Sequence, residues 1–221
     1  MEKYVLIIAG GIGRRMNMDI PKQFIPIAGK PVLMHTISKF IDFDPNIKIV
    51  VTIPKEHIPL WKDLCKEFNF KINHEIVKGG KERFYSVKNG LKVVPEDSLV
   101  LIHDGVRPLV SNETIGRVIE GSKEHGNAIP YIDMTQSVRK VANEKNKAIN
   151  RNQLKLIQTP QGFHSSLIKQ AYAKRYRASF TDDASVLEAM GYDIKLVKGN
   201  HKNIKITSST DLHLVECLIK L

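Results

Sequence analysis

Ala9-Gly10-Gly11-Ile12-Gly13-Arg14-Arg15-Met16, entered from the apolar run Tyr4-Val5-Leu6-Ile7-Ile8 and followed by Pro21-Lys22-Gln23, sets the architecture of this chain. The apolar run shows no alternation, as expected of a strand buried on both faces of a parallel sheet. Three glycines within four positions give a backbone that can take positive φ and come close to a ligand, with N–H groups pointing at phosphate oxygens. Arg15 and Lys22 add permanent positive charge. Two other phosphate loops are excluded on spacing. A Walker loop needs G-x-x-x-x-G-K-[ST], and the dinucleotide fingerprint needs G-x-G-x-x-G opening a helix, whereas here Gly13 is followed by Arg14, Arg15 and Met16. The dinucleotide reading also lacks a ribose-binding acid after the second strand, where residues 47–53 run into Pro54-Lys55.

Working outward, strand-like runs at residues 4–9, 47–53, 72–77 and 99–103 alternate with helical patterns at 31–42, 58–68, 82–93 and 111–125. That alternation predicts an α/β fold, a Rossmann-like three-layer sandwich on a mostly parallel mixed sheet. In the segment 58–68, Leu60, Leu64 and Phe68 are expected on the core face with Trp61 and Cys65 beside them, and Trp61 reads as core. Ser111 is the expected N-cap of the helix it precedes. Between residues 131 and 152 the pattern changes: a short strand at 138–141 and a polar turn at 143–147 predict a protruding β-hairpin arm. A lone two-stranded hairpin is marginal in water, so an arm of this kind needs another surface to lie on. The whole chain, 1–221, reads as one domain with this appendage.

Composition narrows the function classes. Cys65 and Cys217 have no C-x-x-C partner and fit a reducing compartment, so a cytoplasmic protein is expected. No apolar run approaches a membrane span, and the first one is too short and too soon broken by glycine for a signal peptide. The formal charge of +11 admits an RNA-binding or scaffold module, but the basic residues are scattered and aromatics make up only 7%. Anionic small substrates account for that charge equally well. The eight histidines and two cysteines show no H-E-x-x-H, paired-cysteine zinc spacing or serine-histidine-acid order.

The glycine loop with Arg15, Met16 and Pro21-Lys22-Gln23 is the signature of sugar-phosphate nucleotidyltransferases. Further segments extend the match: Gly79-Gly80-Lys81-Glu82-Arg83, Ser86-Val87, His103-Asp104, Arg107-Pro108, Asn150-Arg151-Asn152, Gln158-Thr159-Pro160-Gln161, Thr181-Asp182-Asp183-Ala184-Ser185 and Asn203-Ile204-Lys205-Ile206-Thr207. Over nearly its whole length the chain resembles the 2-C-methyl-D-erythritol 4-phosphate cytidylyltransferase family. The ribitol 5-phosphate cytidylyltransferases share the glycine loop, P-K-Q and N-I-K-I-T, and stand as the alternative.

The resemblance implies CTP and a polyol phosphate as substrates, Mg²⁺ as cofactor, and a homodimer formed through the arm. It implies that Arg15 and Lys22 stabilise charge on the reacting phosphorus while Arg151 and Lys205 position the acceptor. Ala9, Gly10, Gly11, Gly13, Gly80, Ser86 and Asp104 would bind the nucleotide, with Asp104 as the Mg²⁺ ligand and His103 as buried support. Arg107, Ser137, Thr159 and Thr181 would meet the acceptor. Where family members often carry an acid, this chain has Lys81. Neither nucleic acid nor a membrane is an expected partner.

Overall fold

A computed structural model describes residues 1–11 and 20–220. The first half of the chain forms β1 (Glu2–Ile8), the short ribbon of β2 (Pro26–Ile27) and β3 (Lys30–Pro31), α1 (Val32–Phe43) and β4 (Lys48–Ile53). It continues with α2 (Ile58–Glu67), β5 (Glu75–Lys78), α3 (Arg83–Leu91) and β6 (Ser98–Asp104). The second half adds α4 (Asn112–His125), β7 (Asn127–Asp133), the arm strands β8 (Val138–Ala142) and β9 (Lys145–Ile149), and β10 (Lys155–Ile157). It closes with β11 (Gln161–His164), α5 (Ser165–Ala173), α6 (Asp183–Glu188), β12 (Leu196–Lys198) and α7 (Ser209–Ile219).

Among the described residues the main sheet has the order β10-β7-β11-β6-β1-β4-β5, with β12 beside β7. Strands β6, β1, β4 and β5 are parallel, because helices carry the chain back between them. Strands β10 and β11 run antiparallel to their neighbours and β12 runs parallel to β7, which makes the sheet mixed. Val5, Leu6 and Ile7 of β1 are fully buried, as the unbroken apolar run requires of a central strand. Val5 and Ile7 face α1, α2 and α4, whereas Leu6 and Ile8 face α3, α5 and α6. Those two faces make the three layers.

After β1 the chain moves to β4 on one side, and later returns to lay β6 on the other. Strand order therefore reverses at β1, and open α/β sheets bind ligands at such a point, beyond the strand C-termini. Register fixes what meets there: Ile8 pairs with Asp104, and Gly105 N donates to Ile8 O at 2.9 Å. A third apolar cluster, with Ile27, Val32, Val106, Ile206 and Val215, packs α7 against this end of the molecule.

Local signals explain most element ends. Ser111 Oγ accepts from Thr114 N at 3.2 Å, and α4 stops at Gly126, whose φ of 80° favours glycine. One buried position and two boundaries differ from the sequence reading. Leu60 is 38% exposed, because the core stripe of α2 runs through Trp61, Leu64, Cys65 and Phe68 at i, i+3, i+4 and i+7. The strand expected from residue 72 begins only at Glu75, and His74 Nδ1 bonds Ile72 O within the irregular lead-in. The arm turn is two residues, Asn143 and Glu144 at φ 46° and 63°, so Lys145 to Lys147 belong to β9. Positive φ at both positions matches the twist of a tight hairpin.

Trp61 anchors α2. Fully buried, it stacks on Phe24 at 5.9 Å and donates Nε1–H to His74 Nε2 at 3.0 Å. Trp61→Ala should lower unfolding free energy by about 3–5 kcal/mol in urea denaturation, through lost transfer energy and the cavity left behind. A loss under about 1 kcal/mol, the level of an ordinary surface change, would show that α2 is not held by this side chain.

Candidate active site

A cavity of about 290 Å³ lies at the point where strand order reverses. It is lined by Ile8 to Gly11 after β1, by Lys22 and Gln23, by the turn Gly80 to Arg83 with Ser86, and by Asp104, Val106 and Lys205. A larger cleft of about 860 Å³ borders the other, N-terminal ends of β1 and β4 around Glu2 to Tyr4 and Lys48. Open sheets of this type do not place ligands at that end.

Gly10 and Gly11 line the cavity, and neither adopts positive φ. A Cβ on Gly10 would lie 3.7 Å from Ser86 Oγ and one on Gly11 3.4 Å from the Lys22 Cε, both ordinary contacts. Gly80 is more constrained, since a Cβ there would meet the Tyr85 Cβ at 2.3 Å. Its N–H donates to Ser86 Oγ at 3.0 Å, and that hydroxyl donates on to Glu82 O at 3.3 Å, folding the turn onto the start of α3. Glu82 is the N-cap residue of α3 without a side-chain capping bond. Gly13 and Arg15 lie outside the described residues.

Lys22 follows Pro21, whose φ of −55° starts a short 3₁₀ turn, and its Nζ donates to Ile206 O at 2.8 Å. The neighbouring Lys205 bonds Asp104 Oδ2 at 3.0 Å. The segment bearing Lys205 alternates in polarity as a strand does but forms none. It is an extended stretch held by Ile206 N to Val106 O at 3.0 Å and by Asn203 Nδ2 to Thr159 O at 2.8 Å. Its side-chain pattern comes from α7 and Val106 packing on Ile206.

Asp104 is the centre of charge. Its Oδ2 also meets Arg107 Nε at 3.1 Å, and its Oδ1 lies 3.6 Å from Arg83 Nε. Burial alone would raise its pKa, but Arg83, Lys205 and Arg107 outweigh that and hold the carboxyl far below the usual range. Arg107 stands behind this carboxylate, with Nη1 on Asn203 O at 2.8 Å. Thr159 supports it too: its hydroxyl accepts from Asp104 N at 3.1 Å and donates to His103 Nδ1 at 3.0 Å. His103 Nε2–H then donates to Arg107 O at 3.1 Å, which fixes the tautomer. His103 is thus buried support, as the sequence suggested.

Five expected residues do not line the cavity. Arg107 and Thr159 stand behind Asp104, where they bond its carboxylate and its backbone N–H in place of meeting the acceptor. Arg151 is exposed at the arm base with Nη1 on Thr135 O at 2.6 Å, Ser137 is exposed beside β8, and Thr181 borders a separate cleft of about 130 Å³. Other residues enter that sequence reasoning gave no role. Gln23 is buried and donates Nε2–H to Ala9 O at 2.8 Å, tying P-K-Q to the end of β1. Asp182 caps α6 through Ser185 N at 2.9 Å, which leaves the adjacent Asp183 for Arg83. The doubled acid was the available signal, since one cap needs one carboxylate.

Among the described residues no group of three or more His, Cys, Asp or Glu side chains gathers to hold a metal. Asp104 alone suits Mg²⁺, which commonly takes one or two carboxylates and fills its remaining positions with phosphate and water.

Residues 4–220 match the family described as 2-C-methyl-D-erythritol 4-phosphate cytidylyltransferase. The protein of that name from Phocaeicola vulgatus is 48% identical over 219 residues, covering 99% of this chain and 100% of the relative. The one from Bacteroides thetaiotaomicron is 45% identical at the same coverage. The crystal structure of 2-C-methyl-D-erythritol 4-phosphate cytidylyltransferase from Thermus thermophilus superposes with a TM-score of 0.82 at 31% identity, covering both chains fully. That from Francisella tularensis gives 0.82 at 33%, again over both whole chains.

Burial of His103 lowers its pKa from 6.5 to about 4, the bond to Arg107 O opposing this only in part. Its folded value is depressed, so the unfolded chain takes up a proton as pH falls through 6.5 while the folded chain stays neutral. Stability is therefore fully present above pH 6.5 and lost progressively toward pH 4, by roughly 3 kcal/mol from this group. In His103→Gln, whose amide can accept from Thr159 and donate to Arg107, urea denaturation should show that part of the acid slope gone. An unchanged slope would assign acid sensitivity to other groups.

Proposed function

The chain belongs to the 2-C-methyl-D-erythritol 4-phosphate cytidylyltransferase family, and we propose that the cavity where the β1 and β6 ends meet carries the reaction of that family. The enzyme transfers a cytidylyl group from CTP to 2-C-methyl-D-erythritol 4-phosphate, releasing pyrophosphate, in isoprenoid biosynthesis. An oxygen of the acceptor phosphate attacks the α-phosphorus of CTP in line with the departing pyrophosphate. The work is alignment of two anions and neutralisation of their charge.

The observation that carries the assignment is the bond from Lys22 Nζ to the carbonyl of Ile206, the residue next to Lys205. It ties a lysine of the N-terminal half to the segment that holds Lys205, so donor-side and acceptor-side cations share one cavity. In this reading Gly10, Gly11 and Gly13 admit the triphosphate, and Gly80 with Ser86 meets cytosine and ribose. Arg15 and Lys22 neutralise the charge that grows on the α-phosphorus. Lys205 receives the acceptor phosphate, while Arg107 and Thr159 hold Asp104 from behind. Mg²⁺, held by Asp104 and the phosphates, would supply further charge neutralisation.

The remaining assignments concern assembly. Both arm strands are largely exposed, Val141 is 71% exposed, and Leu156 and Ile157 beside the arm are also uncovered. Such a hairpin gains stability by lying on a second copy, which supports a homodimer. Arg151, with Ser137, would then act at the partner's cavity, gripping the acceptor phosphate. Thr181 would contact acceptor hydroxyls. No helix among the described residues is long and apolar enough to cross a membrane, and the two free thiols suit a reducing cytoplasm.

Lys22→Ala and Arg15→Ala should each cut kcat about 10²–10³-fold in a pyrophosphate-release assay while circular dichroism stays native. An unchanged kcat would remove that residue from the catalytic set. Lys205→Ala and Arg151→Ala should raise the acceptor KM more than the CTP KM, and equal changes would contradict their acceptor role. Size-exclusion chromatography with light scattering should give twice the mass of one chain, 25.0 kDa. A monomer would sink the arm assignment.

A further inference from the structure

Arg83 opens α3 at the end of the Gly80 turn, and its guanidinium is gripped by Asp183 through two bonds, Nη1 to Oδ1 at 2.8 Å and Nη2 to Oδ2 at 2.7 Å. Asp183 is completely buried, and Tyr172, itself 2% exposed, donates its hydroxyl to Oδ1 at 2.6 Å. A buried carboxylate is costly unless fully paired, and this one is paired by a planar fork and a phenol. Capping of α6 is done by Asp182, so the Asp183 side chain serves Arg83. The Nε edge of Arg83 then faces Asp104 Oδ1 as an ion pair at 3.6 Å. The opposite oxygen of Asp104 holds Lys205, whose side chain is 41% exposed and able to move.

We propose that Arg83 is a positioning residue for the transfer: locked by Asp183 and Tyr172, it holds Asp104 from the Oδ1 side so that Lys205 can leave Oδ2 for the acceptor phosphate. The proposal rests on the placement of Asp104 and Lys205 in the site above. Without Arg83, Asp104 has only Arg107 to compensate it besides Lys205, so Lys205 is released less readily and acceptor binding suffers. CTP binding, which depends on the glycine turn and Lys22, is spared.

The test uses the full chain with CTP, Mg²⁺ and methylerythritol phosphate, with CTP affinity taken separately by calorimetry. Arg83→Met should raise the acceptor KM about tenfold, the scale of one partly screened ion pair lost, and change CTP affinity by less than about threefold. Arg83→Lys should stay close to Arg83→Met, because an ammonium cannot span both Asp183 oxygens and still face Asp104. Tyr172→Phe keeps the ring packing and should move acceptor KM in the same direction by about threefold, which gives a readout if Arg83 variants fold poorly. Arg83→Met combined with Lys205→Ala should be no worse for the acceptor than Lys205→Ala alone. Additive losses, or equal losses for CTP and acceptor, would overturn the proposal. A wild-type acceptor KM in Lys205→Ala would strike the underlying site assignment, whereas an impaired Lys205→Ala beside an unimpaired Arg83→Met would overturn this proposal alone.

Discussion

Asp104 is a single carboxylate shared by Arg83, Arg107 and Lys205, and the rest of the site depends on that arrangement. Cations brought together to receive two polyanions repel one another until the substrates arrive. One buried acid among them holds the cluster together before that point and fixes where each charge points. The sheet puts the acid there by register, because the last residue of β1 lies opposite the last residue of β6. Backbone geometry thus sets the electrostatics, and side-chain packing has only to refine it.

The second constraint is closure. Gln23 binds the carbonyl of Ala9, and Lys22 beside it binds the carbonyl of Ile206. Two adjacent residues therefore tie the end of β1 to a segment far along the chain. Buried support for this region runs through Thr159, His103 and Arg107, each hydrogen bond fixing the direction of the next. Such a connected polar set holds geometry only while every member is satisfied, which is why burial of a neutral His103 matters to the site.

Features encoded within a few residues were legible in the sequence. The unbroken apolar run of β1, the glycines after it, the N-cap at Ser111, buried Trp61 and Asp104 at the end of β6 all follow from local pattern. The resemblance added the family, which the wider comparisons bear out. What pattern misplaced was tertiary in origin. Asn203 to Thr207 alternates as a strand does, yet the alternation reflects packing of Ile206 against α7 and Val106. Leu60 has the spacing of a core residue with Leu64 and Phe68, yet the stripe is centred on Trp61, one residue on. The Asp183–Arg83 pair joins segments distant in the chain, and no spacing rule announces it.

The function of the site turns on where the triphosphate of CTP lies. A crystal structure of the protein with Mg²⁺ and a non-hydrolysable CTP analogue measures this directly. The triphosphate is predicted against Gly10, Gly11 and Lys22, with cytosine beside Gly80 and Ser86. Nucleotide bound instead in the cleft around Glu2 to Tyr4 and Lys48, at the opposite end of the sheet, would contradict it.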